Sequence, residues 1–340
     1  MTKQAIKAVV VVKEQAMPTA NIDQLTALCK ASADRLRLLI LAVLYNDSYG
    51  VLELCAIFDT RQSGMSHHLK ILSKAGLLTT RREGNSIFYR RAQLLTDNKG
   101  LHGLQKQLLK TLKDMELPNE ILYQIDKIHD GRRQQSQDFF SENADKFRAQ
   151  QDLIASYGQY AETVQQMLIN QLSGEQKLAL EVGPGDGQFL SFLSPNFKHV
   201  IALDNAINML DQTRNLASKK NWNNIEFIYG DTSHSQISQL KIDCIVVNMV
   251  LHHTPSPADI FQDLANILDA NGTLLITDLC HHDQGWAKES CGDIWQGFEP
   301  EDLTAWATAA GLSELDSAYL SQRNGFRIQI RLFGLTRVTN

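Results

Sequence analysis

A strand followed by alternating glycines is the most informative chemical pattern in this sequence. The segment LALEVGPGDGQFL places an acid, Glu181, near the end of an apolar run, and glycines follow at Gly183, Gly185 and Gly187. Glycine permits a tight turn and a close approach of a ligand to the backbone. The spacing G-x-G-x-G differs from the G-x-G-x-x-G of dinucleotide-binding folds. The pattern predicts a ligand-binding loop after a buried strand.

Polar side chains also end the next three apolar runs. Asp204 closes VIALD, Asp231 follows IEFIYG, and Asn248 closes IDCIVVN. Each acid alone could be a helix N-cap or a solvated strand end. All of them in register fit a ligand site at the carboxyl ends of parallel strands. We therefore expect these three side chains to lie beside Glu181.

The elements that must position these residues alternate between strand and helix. From residue 174 onward, short apolar runs alternate with helical stretches, which predicts a parallel sheet covered on both faces. A helix after Pro300 and two extended segments, LSELDSAYL and FRIQIRLF, complete this part. The expected class is two-domain α/β, with a Rossmann-like, mostly parallel sheet of seven strands in the second domain.

Residues 178–278 resemble the class I S-adenosylmethionine-dependent methyltransferases. The resemblance implies that S-adenosylmethionine or S-adenosylhomocysteine is the bound cofactor. It assigns Glu181 and the three glycines to the methionine end and Asp204 to the ribose. It assigns Asp231 to the adenine and Asn248 to the sulfonium side.

The position of a methyl acceptor is less well defined. His252 and His253 follow the fourth strand and are candidate catalytic bases, although LHH also serves as packing in this fold. The later segment DLCHHDQGWAKESCGDIWQGF could form a lid or acceptor wall through Trp286 and Trp295, or a domain interface. Its Cys and His spacing matches no zinc pattern, so no metal site is predicted.

The front of the chain carries a local positive charge. Residues 61–91 contain seven Lys or Arg and one acid, Glu83, which gives +6. A positive field of this kind favours contact with phosphates. A helix in TRQSGMSHHLKIL turns Met65, Leu69 and Leu72 inward. The side chains predicted to contact DNA are Gln62, Ser63, Ser66, His67 and Lys70 on this helix, and Arg81, Arg82 and Arg90 on the hairpin that follows.

Residues 25–92 resemble the winged helix-turn-helix of the ArsR/SmtB regulators. The resemblance implies a homodimer on a palindromic, double-stranded operator, with the leucine-rich residues 101–115 as the dimer helix. Ordinary core packing of that stripe is the alternative. Metal sensing does not carry over, because Cys55 has no second cysteine at Ile57 and His102 stands alone.

Length and composition indicate the general class of protein and its division into domains. The 340 residues carry a net charge of −5, 43% hydrophobic residues and five scattered cysteines. These values favour a cytoplasmic protein with reduced thiols and no membrane span. The predicted domains are an N-terminal tail (1–20), a DNA-binding and dimerisation domain (21–116), a helical linker (117–173) and a methyltransferase-like domain (174–340).

Two functions fit this combination. In the first, the chain is a transcriptional regulator in which S-adenosylmethionine or S-adenosylhomocysteine controls operator binding, a role that similar regulators have for methionine-cycle genes. In the second, the rear domain is a working methyltransferase on a small-molecule acceptor, with transcription tied to its substrate.

Overall fold

The computed structural model describes residues 22–45, 47–84, 86–92, 100–113, 115–172 and 177–336, without the side chains of residues 144–150 and 289. The predicted N-terminal tail lies outside these residues. The limits of the other predicted domains stay a prediction. Within the described part of the chain, no helix combines the length and apolar character needed to cross a membrane.

The first region is a set of short helices beside a small antiparallel sheet. Its helices are α1 (Ile22–Ser32), α2 (Arg35–Val43), α3 (Val51–Ile57), α4 (Gln62–Lys74) and α5 (Gly100–Lys113). Its strands are β1 (Tyr49–Gly50), β2 (Leu78–Glu83) and β3 (Ser86–Arg91), in the order β1-β3-β2.

Sequence signals explain where these elements begin and which faces they bury. The Asp34 carboxylate accepts the backbone N–H of Arg37 at 3.0 Å, so it caps α2 as acidic residues commonly do. Met65, Leu69 and Leu72 of α4 are fully buried, which confirms their predicted inward face. The α5 stripe is divided, because Leu112 is buried whereas Leu104 and Met115 are exposed.

A single long helix joins the two regions. Helix α6 (Asn119–Ile154) runs for 36 residues without interruption, followed by α7 (Tyr157–Ile169). The helix includes Gly131 and passes through this residue without a break. A glycine inside a helix costs about 1 kcal/mol relative to alanine, which contacts on both sides of α6 can offset.

The second region is a seven-stranded sheet with helices on both faces. Its strands are β4 (Leu178–Val182), β5 (His199–Asp204), β6 (Ile225–Tyr229), β7 (Ile242–Asn248), β8 (Leu268–Leu279), β9 (Leu312–Ser321) and β10 (Arg327–Leu335). Its helices are α8 (Leu190–Asn196), α9 (Ile207–Lys220), α10 (Pro257–Ile267), α11 (Trp286–Cys291) and α12 (Pro300–Ala309).

The strand order is β6-β5-β4-β7-β8-β10-β9, with β10 antiparallel to both of its neighbours and the other pairs parallel. Alternate residues of the central strands enter separate cores, as Ala179 and Leu180 of β4 show. This arrangement confirms the predicted Rossmann-like fold. It also places the carboxyl ends of β4, β5, β6 and β7 along one edge.

Candidate functional site

A cavity of about 390 Å³ lies at the carboxyl ends of these parallel strands. We call it the strand-end pocket. Six of the seven residues predicted to hold a cofactor line it: Glu181, Gly183, Gly185, Asp204, Asp231 and Asn248. The seventh, Gly187, lies outside the lining and packs against Thr213 of α9.

The glycine loop requires residues without side chains at two positions. Gly183 has a φ of +62°, and a Cβ there would lie 2.6 Å from Cγ2 of Val250. Gly187 has a φ of +80°, and its Cβ would lie 3.0 Å from Cγ2 of Thr213. A larger residue at either position would strain the backbone and displace the loop that borders the pocket.

Buried carboxylates form the polar end of the pocket. Burial, reinforced by Asp186, raises the pKa of Glu181 well above its usual range, and Glu181 Oε2 has no hydrogen-bond partner among the described residues. Burial also raises the pKa of Asp204 to about 7, although its Oδ1 accepts the backbone N–H of Ala206 at 2.8 Å. Such acceptors suit the ammonium or hydroxyl groups of a ligand.

Asn248 extends this set of unused polar groups. Neither its Oδ1 nor its Nδ2 has a hydrogen-bond partner in the part of the chain that the structure describes. Buried amide groups normally have partners, because an unpaired one costs roughly 1–3 kcal/mol. The residues present therefore fit a ligand that carries amino, carboxyl and hydroxyl groups, as S-adenosylmethionine and S-adenosylhomocysteine do.

One wall of the pocket comes from α6, which the sequence prediction did not include. His129, Arg133, Ser136 and Phe140 line the pocket from one helical face, at spacings of four, three and four residues. Arg133 Nε lies 3.9 Å from Asp231 Oδ2, and Gln137 Nε2 donates to the carbonyl of Asn205 at 3.2 Å. The helical spacing was present in the sequence, but the mixed chemistry of these side chains gave no apolar stripe to detect.

The two candidate bases have opposite environments. His252 does not line the pocket, since its Nδ1 lies 2.8 Å from Asp278 Oδ1 and its Nε2 lies 3.8 Å from Asp293 Oδ1. Burial lowers the pKa of His252, but these two carboxylates outweigh it and bring the pKa to about 9. His252 is therefore a buried, ion-paired group behind the pocket, and its predicted catalytic role stays a prediction.

His253 does line the strand-end pocket. Burial and then the neighbouring His252 charge lower the pKa of His253 well below its usual value. Its Nδ1 lies 3.3 Å from the carbonyl oxygen of Gly292, which fixes Nδ1 as the donor nitrogen, and Phe140 packs edge-on at 4.9 Å. The imidazole is therefore neutral, with Nε2 as its unprotonated nitrogen, and its catalytic role stays a prediction.

The residues predicted to contact DNA fall into two groups. All five on α4, Gln62, Ser63, Ser66, His67 and Lys70, have exposed side chains, and so does Arg82. Arg81 is 7% exposed, and Arg90 pairs with Asp302 of α12. The hairpin β2–β3, which we call the wing, therefore lies against the second region.

The contacts of the wing are extensive. Arg81 pairs with Glu83, lies 3.7 Å from Asp302 Oδ2, and donates to the carbonyl of Gly297 at 3.3 Å. The Glu83 carboxylate accepts the backbone N–H of Gln296 at 2.6 Å. In this arrangement the Arg81 guanidinium is buried and already paired, so its contact with DNA stays a prediction that requires the wing to leave the second region.

Trp295 occupies the centre of this interface. It packs edge-on against Phe88 at 5.3 Å, and the Arg81 guanidinium lies 5.2 Å from its ring centroid. Of the two alternatives for this segment, the domain interface is confirmed for Trp295. Trp286 packs on Phe326 at 5.8 Å and does not line the strand-end pocket.

Arg132 of α6 ties both regions together. Its guanidinium forms a bidentate pair with Glu53 at 2.9 and 2.7 Å and donates to the carbonyl of Ser48. It also donates to the carbonyl of Pro255 at 3.0 Å, next to the strand-end pocket. A bidentate arginine pair is geometrically specific, so it fixes the position of α3 relative to the pocket.

Two family models match the chain. Residues 34–80 match the family described as "Bacterial regulatory protein, arsR family", and residues 149–317 match "Methyltransferase domain".

Among curated relatives, the transcriptional activator HlyU of Vibrio cholerae serotype O1 is 38% identical over 69 residues, which is 20% of this chain and 64% of that protein. The arsenite methyltransferase of Halobacterium salinarum is 28% identical over 108 residues, 31% of this chain and 27% of that protein. Both alignments span less than two thirds of the relative.

Among solved structures, magnesium protoporphyrin IX methyltransferase from Synechocystis PCC 6803, with bound S-adenosylhomocysteine, is 18% identical with a TM-score of 0.49. That comparison covers 60% of this chain and 100% of the other.

Proposed function

The chain joins an ArsR-family helix-turn-helix domain to a methyltransferase domain, and from this premise we propose that it is a ligand-controlled transcriptional regulator. In this proposal the strand-end pocket binds S-adenosylmethionine or S-adenosylhomocysteine, and the bound state changes the affinity of α4 and the wing for double-stranded operator DNA. The chain acts in the cytoplasm as a homodimer, for which the exposed Leu104 and Met115 near α5 offer apolar surface.

The residue roles in the pocket follow from their chemistry. Glu181 and the backbone of the glycine loop hold the amino acid end of the ligand, and the Asp204 carboxylate accepts from ribose hydroxyls. Asp231 accepts from the adenine amino group, and Asn248 uses its unpaired amide near the sulfur. When S-adenosylmethionine is bound, it supplies an electrophilic methyl group; the homocysteine form supplies none.

One observation carries the coupling between ligand and DNA. The same helix, α6, lines the pocket through His129 and Arg133 and anchors the DNA-binding domain through Arg132. A ligand that contacts this face of α6 can therefore favour one domain arrangement over another. Coupling requires that the ligand binds the two arrangements with different affinity.

DNA binding by the wing requires that it first lose its ion pairs with the second region. In the structure its cations Arg81 and Arg90 are paired with carboxylates, so they cannot also pair with DNA phosphates. We infer that the wing must separate from the second region before it binds DNA. The ligand then acts by shifting the equilibrium between a docked form, in which the wing contacts the second region, and a released form, in which it does not.

Operator titration tests the proposal directly. An operator is first selected from random duplexes with the full chain, and its affinity is measured by fluorescence anisotropy with S-adenosylmethionine, S-adenosylhomocysteine or neither. We expect a change of roughly 5- to 150-fold for at least one ligand, the usual range of allosteric coupling. Asp204→Asn should remove this response without removing DNA binding. Equal affinity in all three conditions would contradict the coupling.

A second candidate function is small-molecule methyl transfer. The observation that favours it is the position of His253 in the pocket wall, where its unprotonated Nε2 could receive the proton that a methyl acceptor loses. Methyl transfer to a panel of small acceptors, lost in Asp204→Asn and reduced in His253→Asn, would support this function. No transfer to any acceptor would favour a purely regulatory role.

A further inference from the structure

A second cavity, of about 580 Å³, lies between the DNA-binding domain and α12. We call it the interdomain cleft. It shares no lining residue with the strand-end pocket. The walls of the two cavities meet where Ser256 Oγ donates to Asp47 Oδ1 at 2.8 Å. Its volume is in the range typical of small-molecule sites.

The side chains that line the interdomain cleft are strongly biased toward positive charge. Its two carboxylates are Asp47 and Asp302. The cations that line it are Arg81, Arg90, Arg91, Lys106, Lys110 and Lys113. Arg81 pairs with Glu83, which lies outside the lining, and Arg90 pairs with Asp302. Arg91 and the three lysines then stand against Asp47, which leaves a surplus of three positive charges among the described lining residues.

Arg91 is a buried member of this surplus of positive charge. It is 9% exposed, and its Nη2 has no hydrogen-bond partner among the described residues. Its other nitrogens donate to the carbonyls of Leu41 and Leu109, and no described carboxylate pairs with it. Burial lowers the pKa of Arg91 to about 10, the sign expected for a cation short of counter-charge.

A second cation contacts the same aromatic ring as Arg91. The Arg91 guanidinium lies 5.0 Å from the Tyr45 ring centroid, and Lys113 Nζ lies 5.4 Å from the same centroid. Buried charges are normally paired, so an anion at Arg91 would supply the partner that its guanidinium lacks. Lys113, exposed beside the same ring, adds positive charge there.

The remaining walls are apolar. Leu44, Phe298, Trp306 and Ala309 contribute to them from both domains. We propose that the interdomain cleft binds a small amphiphilic anion, in which a carboxylate or phosphate group contacts Arg91 and the α5 lysines while an apolar body packs against α12. This site goes beyond the proposed function and does not depend on it, since no nucleoside is involved.

Calorimetric titration of the full chain tests this site with four probes in the absence of nucleoside. Octanoate and octyl phosphate carry both features, octanol lacks the charge, and inorganic phosphate lacks the apolar body. We expect saturable binding of octanoate or octyl phosphate, and the stronger of the two identifies the anionic group. Octanol and inorganic phosphate should bind at least about tenfold more weakly.

A charge-removal variant locates the binding. Lys110→Gln combined with Lys113→Gln changes only exposed side chains, so the fold should persist, and far-ultraviolet circular dichroism verifies it. The affinity should fall roughly fivefold, as expected for loss of two solvent-exposed charge contacts. The matched control, Lys219→Gln with Lys220→Gln at the end of α9, removes the same charge far from the cleft and should bind like the original chain.

Three results would overturn the site. They are no saturable binding of octanoate or octyl phosphate, equal binding of octanol or inorganic phosphate, and unchanged binding in the α5 variant. A failed operator response to S-adenosyl ligands would leave these titrations unaffected, so the two proposals fail separately.

Discussion

The two basic elements of the DNA-binding domain lie close in sequence but have opposite surroundings. The outward side chains of α4 are exposed, whereas the wing presents Arg81 and Arg90 to carboxylates of the same chain. Both elements contribute to the same local charge of +6. The difference shows that a positive segment identifies a surface able to attract anions but does not identify the anion.

The carboxylate that pairs with the wing is distant in sequence, so a count of local charge could not identify it. Asp302 follows Arg90 by 212 residues and belongs to the first turn of α12. Its carboxylate also accepts the backbone N–H of Glu299, so contacts within its own helix end hold it in place independently of the wing. A fixed, buried carboxylate is a stronger competitor for an arginine than a solvated one.

Arg81→Ala should produce the largest effect that separates the wing from α4. Glu83 is 1% exposed, so removing Arg81 leaves a buried carboxylate without its partner. We expect the free energy of unfolding to fall by about 3–5 kcal/mol. Arg82→Ala, the exposed neighbour, should change it by less than about 0.5 kcal/mol. Urea denaturation measures both. Similar, small values for the two variants would show that the wing is not docked in solution.

Asp302→Asn should produce the next largest effect, and DNA binding is the measurement that reports it. The substitution keeps the shape of the side chain but removes the charge that holds Arg90 and faces Arg81. Released wing cations become available to phosphates, so operator affinity should rise roughly five- to tenfold. Electrophoretic mobility shift titrations measure the change, with Asp269→Asn, a half-buried carboxylate at the start of β8, as the control. Weaker or equal binding would remove docking as an inhibitory contact.

The sequence allowed the sheet to be predicted well, because its signals are local. Each of the strand segments quoted from residue 178 onward forms a strand, and helix α12 begins at Pro300 as expected. Glycines and strand-end acids meet at one edge because parallel strands must end together. Six of seven predicted ligand residues therefore line one pocket.

Features that depend on contacts between domains could not be predicted in the same way. The α6 wall, the pairing of Arg81 and the burial of His252 between Asp278 and Asp293 all join residues distant in sequence. Hydrophobic periodicity reports which face of a helix is buried, but it does not report the chemistry of what covers that face. A single sequence gave no means of pairing Arg132 with both Glu53 and the carbonyl of Pro255.

Lys70→Ala should have the smallest effect, and it tests the α4 side of the comparison. Lys70 is exposed on the face of α4 opposite the buried Met65 and Leu69, where a phosphate contact needs no domain movement. Loss of one contact should make the slope of log affinity against log salt shallower by about 0.9 and weaken binding roughly threefold. Lys74→Ala, in the last turn of α4, is the control. A docked Arg90 pairs with Asp302 and cannot contribute to the salt dependence until that pair separates. If the slope changes in Arg90→Ala but not in Lys70→Ala, the phosphate contacts therefore come from the wing and not from α4.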